Sequence, residues 1–150
     1  MPYLTSPIGG ILLECYPKAK PNTQQPWDAA DLYLLDQGLL GEHPAILNDQ
    51  WGALTCFAHL SGKDYFSWSD SFCSQTAILN NLANLGASTE MTRSHIVSGV
   101  PTFPSQTDTL WIQCPKSFDQ LHWWLQLAQQ QLGSGIQVYI AGMAKHIPVK

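Results

Sequence analysis

The sequence is short of charge: Asp, Glu, Lys and Arg make up 12% of it, about half of the roughly 25% usual in globular proteins. Basic residues are the scarcer sign, seven Lys+Arg against eleven Asp+Glu, for a formal net charge of −4. A domain that grips nucleic acid unaided carries a basic face, so that class is disfavoured. No apolar run approaches the roughly 20 residues that span a bilayer. The first residues, Met1-Pro2-Tyr3-Leu4-Thr5, show neither the basic start nor the apolar stretch of a secretion signal. These absences predict a soluble, cytoplasmic chain with no membrane partner.

Motifs of other chemistries are missing as well. Cys15, Cys56, Cys73 and Cys114 form no C-x-x-C pair, which removes zinc ribbons and thioredoxin-type redox motifs. They are expected to be reduced, buried thiols that behave as small hydrophobes. The histidines, His43, His59, His95, His122 and His146, form no i,i+4 pair and no H-E-x-x-H motif, so no metal site is expected. There is no G-x-S-x-G elbow and no phosphate-binding Walker loop; Ser61-Gly62-Lys63 reads as a turn with a solvated lysine.

What is present is enough apolar material, 45% of 150 residues, for one domain over 1–150. Strand-like and helix-like stretches alternate. Ile11 to Tyr16 reads as a strand closed by Pro17, and Pro26 suits the first turn of a helix from about Trp27, with Asp28 and Asp31 near its positive end. Trp27, Ala30 and Leu34 share one face of it. Ala45-Ile46-Leu47, ending in Asn48-Asp49, suits a buried parallel strand, and a turn at Trp51-Gly52 leads into a short helix over Ala53 to Ala58. Tyr65 to Trp68 is a second strand. Asp70 or Ser71 caps the following helix, and that helix ends near Leu85 with Gly86 at C′. His95 to Val97 is a weaker strand, and Gly99 to Thr107 is irregular. Leu110 to Cys114 is a strand, and Ser117-Phe118-Asp119-Gln120 reads as a capping box. Phe118, Leu121, Leu125, Ala128 and Leu132 then mark one apolar helix face, before a last strand from Ile136 to Ala141. Repeated βαβ units predict an α/β, Rossmann-like, mostly parallel sheet flanked by helices on both faces. Ligands of such sheets sit beyond the strand carboxyl ends, which directs attention to Asn48–Gly52, Ser69–Ser71, Gln113–Lys116 and Gly142–Lys145.

On those stretches the chain resembles a class I S-adenosylmethionine-dependent methyltransferase, and more narrowly the amino-terminal half of the ribosomal RNA large-subunit methyltransferase G family, which is related to the small-subunit methyltransferase C family. The matching segments are Trp27-Asp28-Ala29-Ala30-Asp31 with Tyr33-Leu34-Leu35, then Ile46-Leu47-Asn48-Asp49 with Gly52-Ala53-Leu54. They continue through Asp70-Ser71, Asn81-Leu82, Leu85-Gly86, Pro115-Lys116 and Ala141-Gly142 with Lys145. The resemblance implies guanine-N2 methylation of 23S ribosomal RNA by two tandem methyltransferase-like domains, of which the second is catalytic and binds S-adenosylmethionine. It implies also that this chain is the degenerate first domain, a fragment of a longer enzyme whose own carboxyl-terminal domain is a partner.

The residues themselves argue against a working site here. A methyl-donor loop needs several glycines, and Asn48-Asp49-Gln50-Trp51-Gly52 offers one beside a bulky indole. Asp70 stands about 20 residues after Asp49, the spacing of a ribose-binding carboxylate, but counting back from Asn81 puts Ser69 there instead. An amine-methylating site needs acceptors and an aromatic face; the corresponding stretch is Gln113-Cys114-Pro115-Lys116. The expectation is therefore no catalytic residue, no bound cofactor and no metal, with a degenerate pocket near Asn48, Asp49, Trp51, Gly52, Asp70 and Gln113. Two roles remain open. In one the domain helps hold ribosomal RNA, through Lys116, Lys145, Arg93 and Lys63; the plain alternative for these is solvated surface. In the other it packs on the catalytic domain and orients it without touching RNA, with one of Trp123 and Trp124 facing outward as an interface anchor.

Overall fold

The computed structural model describes residues 3–17, 25–37, 41–87, 96–97, 100–133 and 135–142. In chain order it has β1 (Tyr3–Ser6), β2 (Gly9–Leu12), α1 (Ala29–Asp36), β3 (Pro44–Leu47), α2 (Ala53–Leu60), β4 (Phe66–Trp68), α3 (Phe72–Asn84), β5 (Ile96–Val97), β6 (Thr109–Gln113), α4 (Phe118–Leu132) and β7 (Gln137–Ala141). The last five strands form one parallel sheet in the order β5-β4-β3-β6-β7. The chain starts at the centre with β3, runs outward through β4 and β5, then returns to β6 beside β3. That reversal is the topological switch point of a doubly wound sheet.

The strands alternate between two cores. Ile46 and Trp111 face one layer, where they meet Leu34 and Leu35 of α1, Leu54 and Phe57 of α2 and Ile78 and Leu82 of α3. Ala45, Leu47, Leu110 and Ile112 face the other, against Leu121, Trp124 and Ala128 of α4. Both faces are covered, which is why β3, β4 and β6 are buried along their whole length. The expected Rossmann-like architecture is what the chain adopts, with three helices on one face and one on the other among the described residues.

Several local expectations are corrected. The Ile11–Tyr16 strand is displaced: Gly9–Leu12 pairs antiparallel with Tyr3–Ser6 as a separate hairpin, and Ile11 and Leu13 anchor it to the first core. Pro7 hid this hairpin by sitting in its two-residue turn. Helix α1 begins at Ala29 rather than Trp27, because Asp28 is its N-cap, joined to Asp31 in a reciprocal capping box. Ser71, not Asp70, caps α3. At α4 only half of the expected box forms: Ser117 Oγ accepts from the Gln120 N–H, but the Gln120 side chain bonds Asp70 instead. Phe118 leaves the apolar face and is 57% exposed. Cys56 and Cys114 are buried and Cys15 half-buried, whereas Cys73 is exposed; all four are free thiols. Among the described residues no helix is long and apolar enough to cross a membrane.

Candidate functional site

The switch point lies where β3 and β6 end side by side, and its residues are engaged with one another. Asn48, just past β3, takes a left-handed conformation (φ 67°) that asparagine tolerates better than most residues. Its Nδ2 donates to the Gln113 carbonyl at 3.0 Å. Asp49 is 1% exposed, and its carboxylate turns into the start of α2. There it accepts from the N–H of Gly52 at 3.3 Å, the N–H of Thr55 at 2.8 Å and the Thr55 hydroxyl at 2.7 Å. Since Thr55 spends its proton on Asp49, Ser67 on β4 must donate to the Thr55 oxygen, 3.0 Å away.

Gln113 closes β6. Its buried amide donates to the Asp31 carboxylate of α1, and Asp31 also accepts from the Asp28 N–H at 3.0 Å. Burial pushes the Asp31 carboxyl well above the usual carboxylate range, and the charges of Asp49 and then Asp28 push it the same way. Burial also raises Asp49, although its bonds from Thr55 and Gly52 favour the charged form. Desolvation thus makes both carboxylates harder to ionise, and for Asp31 the neighbouring charges add to it.

The turn between β3 and α2 is equally occupied. Trp51 is buried, and its carbonyl accepts from Asn81 Nδ2 at 2.7 Å. Asn81 is wholly buried. Its Nδ2 also donates to the Glu14 carbonyl at 3.0 Å, and its Oδ1 accepts from the Glu14 N–H at 2.9 Å. One amide therefore stitches α3, the β3–α2 turn and the segment after β2. Gly52 has φ 101°, and a Cβ there would stand 3.2 Å from the Ile78 Cα. Its lone hydrogen is needed for helix packing, which leaves no room for a ligand backbone to approach.

The remaining predicted positions scatter. Ser69, not Asp70, follows β4 directly; it is buried and accepts from the Ser71 N–H. Asp70 is exposed, its carboxylate accepting from Gln120 Nε2 at 3.1 Å. Lys116 is exposed at the carboxyl edge just before α4. Lys63 is at the opposite edge, ahead of β4, with its ammonium donating to the Gly41 carbonyl. These two cations cannot form one stripe. Arg93 and Lys145 lie outside the described residues. The described stretches hold ten of the eleven acidic residues and two of the seven basic ones. No group of three or more His, Cys, Asp or Glu able to hold a metal ion occurs among the described residues. A cavity of about 160 Å³ does occur at the amino edge, lined by His43, Asp64, Tyr65, Pro104 and Gln106 among others, with His43 Nδ1 3.2 Å from Asp64 Oδ2.

The residue that sequence reasoning missed is Asp31. Its spacing from Asp28 signalled a helix start, but nothing local signalled that its carboxylate meets Gln113, 82 positions away. Among the described residues, the places where a ligand would enter this fold are engaged within the chain itself. The glycine-poor turn is packed against α3, the acid after β3 is consumed by α2, and the polar end of β6 is consumed by α1.

Comparison with known proteins places these features. The RLMG N-terminal domain family matches residues 1–150. A protein of Ectopseudomonas mendocina named ribosomal RNA large subunit methyltransferase G is 36% identical over 154 residues, covering 99% of this chain and 40% of that protein. Proteins of the same name are 31% identical in Alcanivorax borkumensis, over 95% of this chain and 39% of the relative, and 32% identical in Aliivibrio fischeri, over 90% and 36%. The chain therefore spans about 40% of the length of these curated relatives. A crystal structure from Methanococcus maripaludis, provisionally described as an S-adenosyl-L-methionine-dependent methyltransferase, shares the fold with a TM-score of 0.52 at 17% identity, over 77% of this chain and 54% of that one.

Proposed function

The chain belongs to the RLMG N-terminal domain family, and on that premise we propose that it is the non-catalytic amino-terminal domain of an S-adenosylmethionine-dependent methyltransferase of 23S ribosomal RNA. It assists a carboxyl-terminal domain that carries the cofactor and the guanine-N2 chemistry. One observation carries the reading: the switch point, where this fold ordinarily takes its ligand, is occupied by the chain's own Asp31–Gln113 and Asn48–Gln113 contacts. Among the described residues, Asn48, Asp49 and Gln113 at the strand ends each have a partner inside the fold. Isothermal titration of the chain with S-adenosylmethionine should give no saturable heat at micromolar protein. A saturable isotherm would mean that the network opens for a donor, and would end this reading.

The assistance is of two kinds, and the charge distribution ranks them. A domain that held ribosomal RNA through its own phosphate contacts needs clustered cations. The whole sequence carries a net charge of −4, and the two lysines among the described residues stand at opposite edges, one of them tied to a carbonyl; the charge balance therefore favours a role in orienting and supporting the catalytic domain. Direct RNA contact is the second reading, favoured among the described residues by Lys116 at the carboxyl rim. Titration of deproteinised ribosomal RNA at physiological salt separates them: orientation predicts no tight binding by this chain, and submicromolar affinity would reverse the ranking.

A further inference from the structure

We draw no further inference here: the strongest candidate, the apolar face of the edge strand β7, where Val138 and Ile140 are 41% and 39% exposed beside the wholly buried Leu110 and Ile112 of β6, carries none because nothing in the structure shows what covers it.

Discussion

The two edges of the sheet are built on opposite principles. At the carboxyl edge, Asp31 and Asn48 both bond Gln113, Asp49 bonds the start of α2 and Asn81 bonds Trp51, so that the polar groups around the switch point are engaged within the fold. At the amino edge, a cavity of about 160 Å³ remains, and its His43–Asp64 pair is 39% and 53% exposed in its side chains. The topology of a doubly wound sheet says where a ligand is expected; the side chains decide whether there is room. Here, among the described residues, the expected place has become a structural joint, and a cavity opens at the end where the fold gives no reason to look.

If that contrast is right, the joint should be costly to break. Asn81→Ala would strand the Glu14 N–H, the Glu14 carbonyl and the Trp51 carbonyl together, around a side chain that is itself wholly buried. A single stranded group costs about 1–3 kcal/mol, so a loss of about 3 kcal/mol or more in urea unfolding is expected. A loss under 1 kcal/mol would show that water reaches the turn, and the picture of a sealed joint would fall. Gly52→Ala comes next. It combines a left-handed φ with a Cβ at 3.2 Å from the Ile78 Cα, and strain of this kind costs about 1–3 kcal/mol.

The edges should also answer pH with opposite signs. Burial raises Asp31 above its unfolded value of 3.8, so the folded chain binds the proton more tightly. Its contribution is fully present below that unfolded value and is lost as pH rises toward the folded one, at no more than about 1.4 kcal/mol per pH unit. At the amino edge, burial of Asp108 works to raise its pKa but is outweighed by the N–H bonds from Glu42 and His43, which hold it below the usual range. Its contribution is present above 3.8 and is lost as pH falls. Urea unfolding between pH 4 and 8 should therefore show a stability that declines with pH less steeply in Asp31→Asn than in the parent. Asp108→Asn should instead remove part of the loss seen on acidification below pH 4. Identical profiles for parent and Asp31→Asn would mean that its carboxylate is solvated.

Much of the fold was legible because local patterns and tertiary packing agree. The runs around Ile46, Trp68, Ile112 and Tyr139 each announce a strand, and Ser71, Ser117 and Gly86 mark helix ends within a residue or two. The turn at Gly52, between β3 and α2, was legible too. What was not legible came from partners far apart in sequence. Asp31 and Gln113 look like a helix-dipole acid and a strand-end amide until folding joins them, and Lys63 and Lys116 look like companions until β4 and β6 carry them to opposite edges. Asp70 lost the cap to its neighbour Ser71, a choice between adjacent capping residues that propensity does not decide.

The smallest effect is the one that tests the amino edge itself. Asp64 accepts from His43 and, at 3.5 Å, from Gln106 Nε2, which on paper resembles the network at the other end. The difference is solvent: an exposed pair gains little because water competes for both partners and salt screens them, so such pairs are worth about 0.2–1 kcal/mol. Asp64→Asn should cost less than about 1 kcal/mol in urea unfolding, with the loss shrinking as salt is added. A loss above 2 kcal/mol that ignored salt would mean the cavity's wall is as tightly built as the switch point, and the distinction between an open edge and a closed one would no longer describe this molecule.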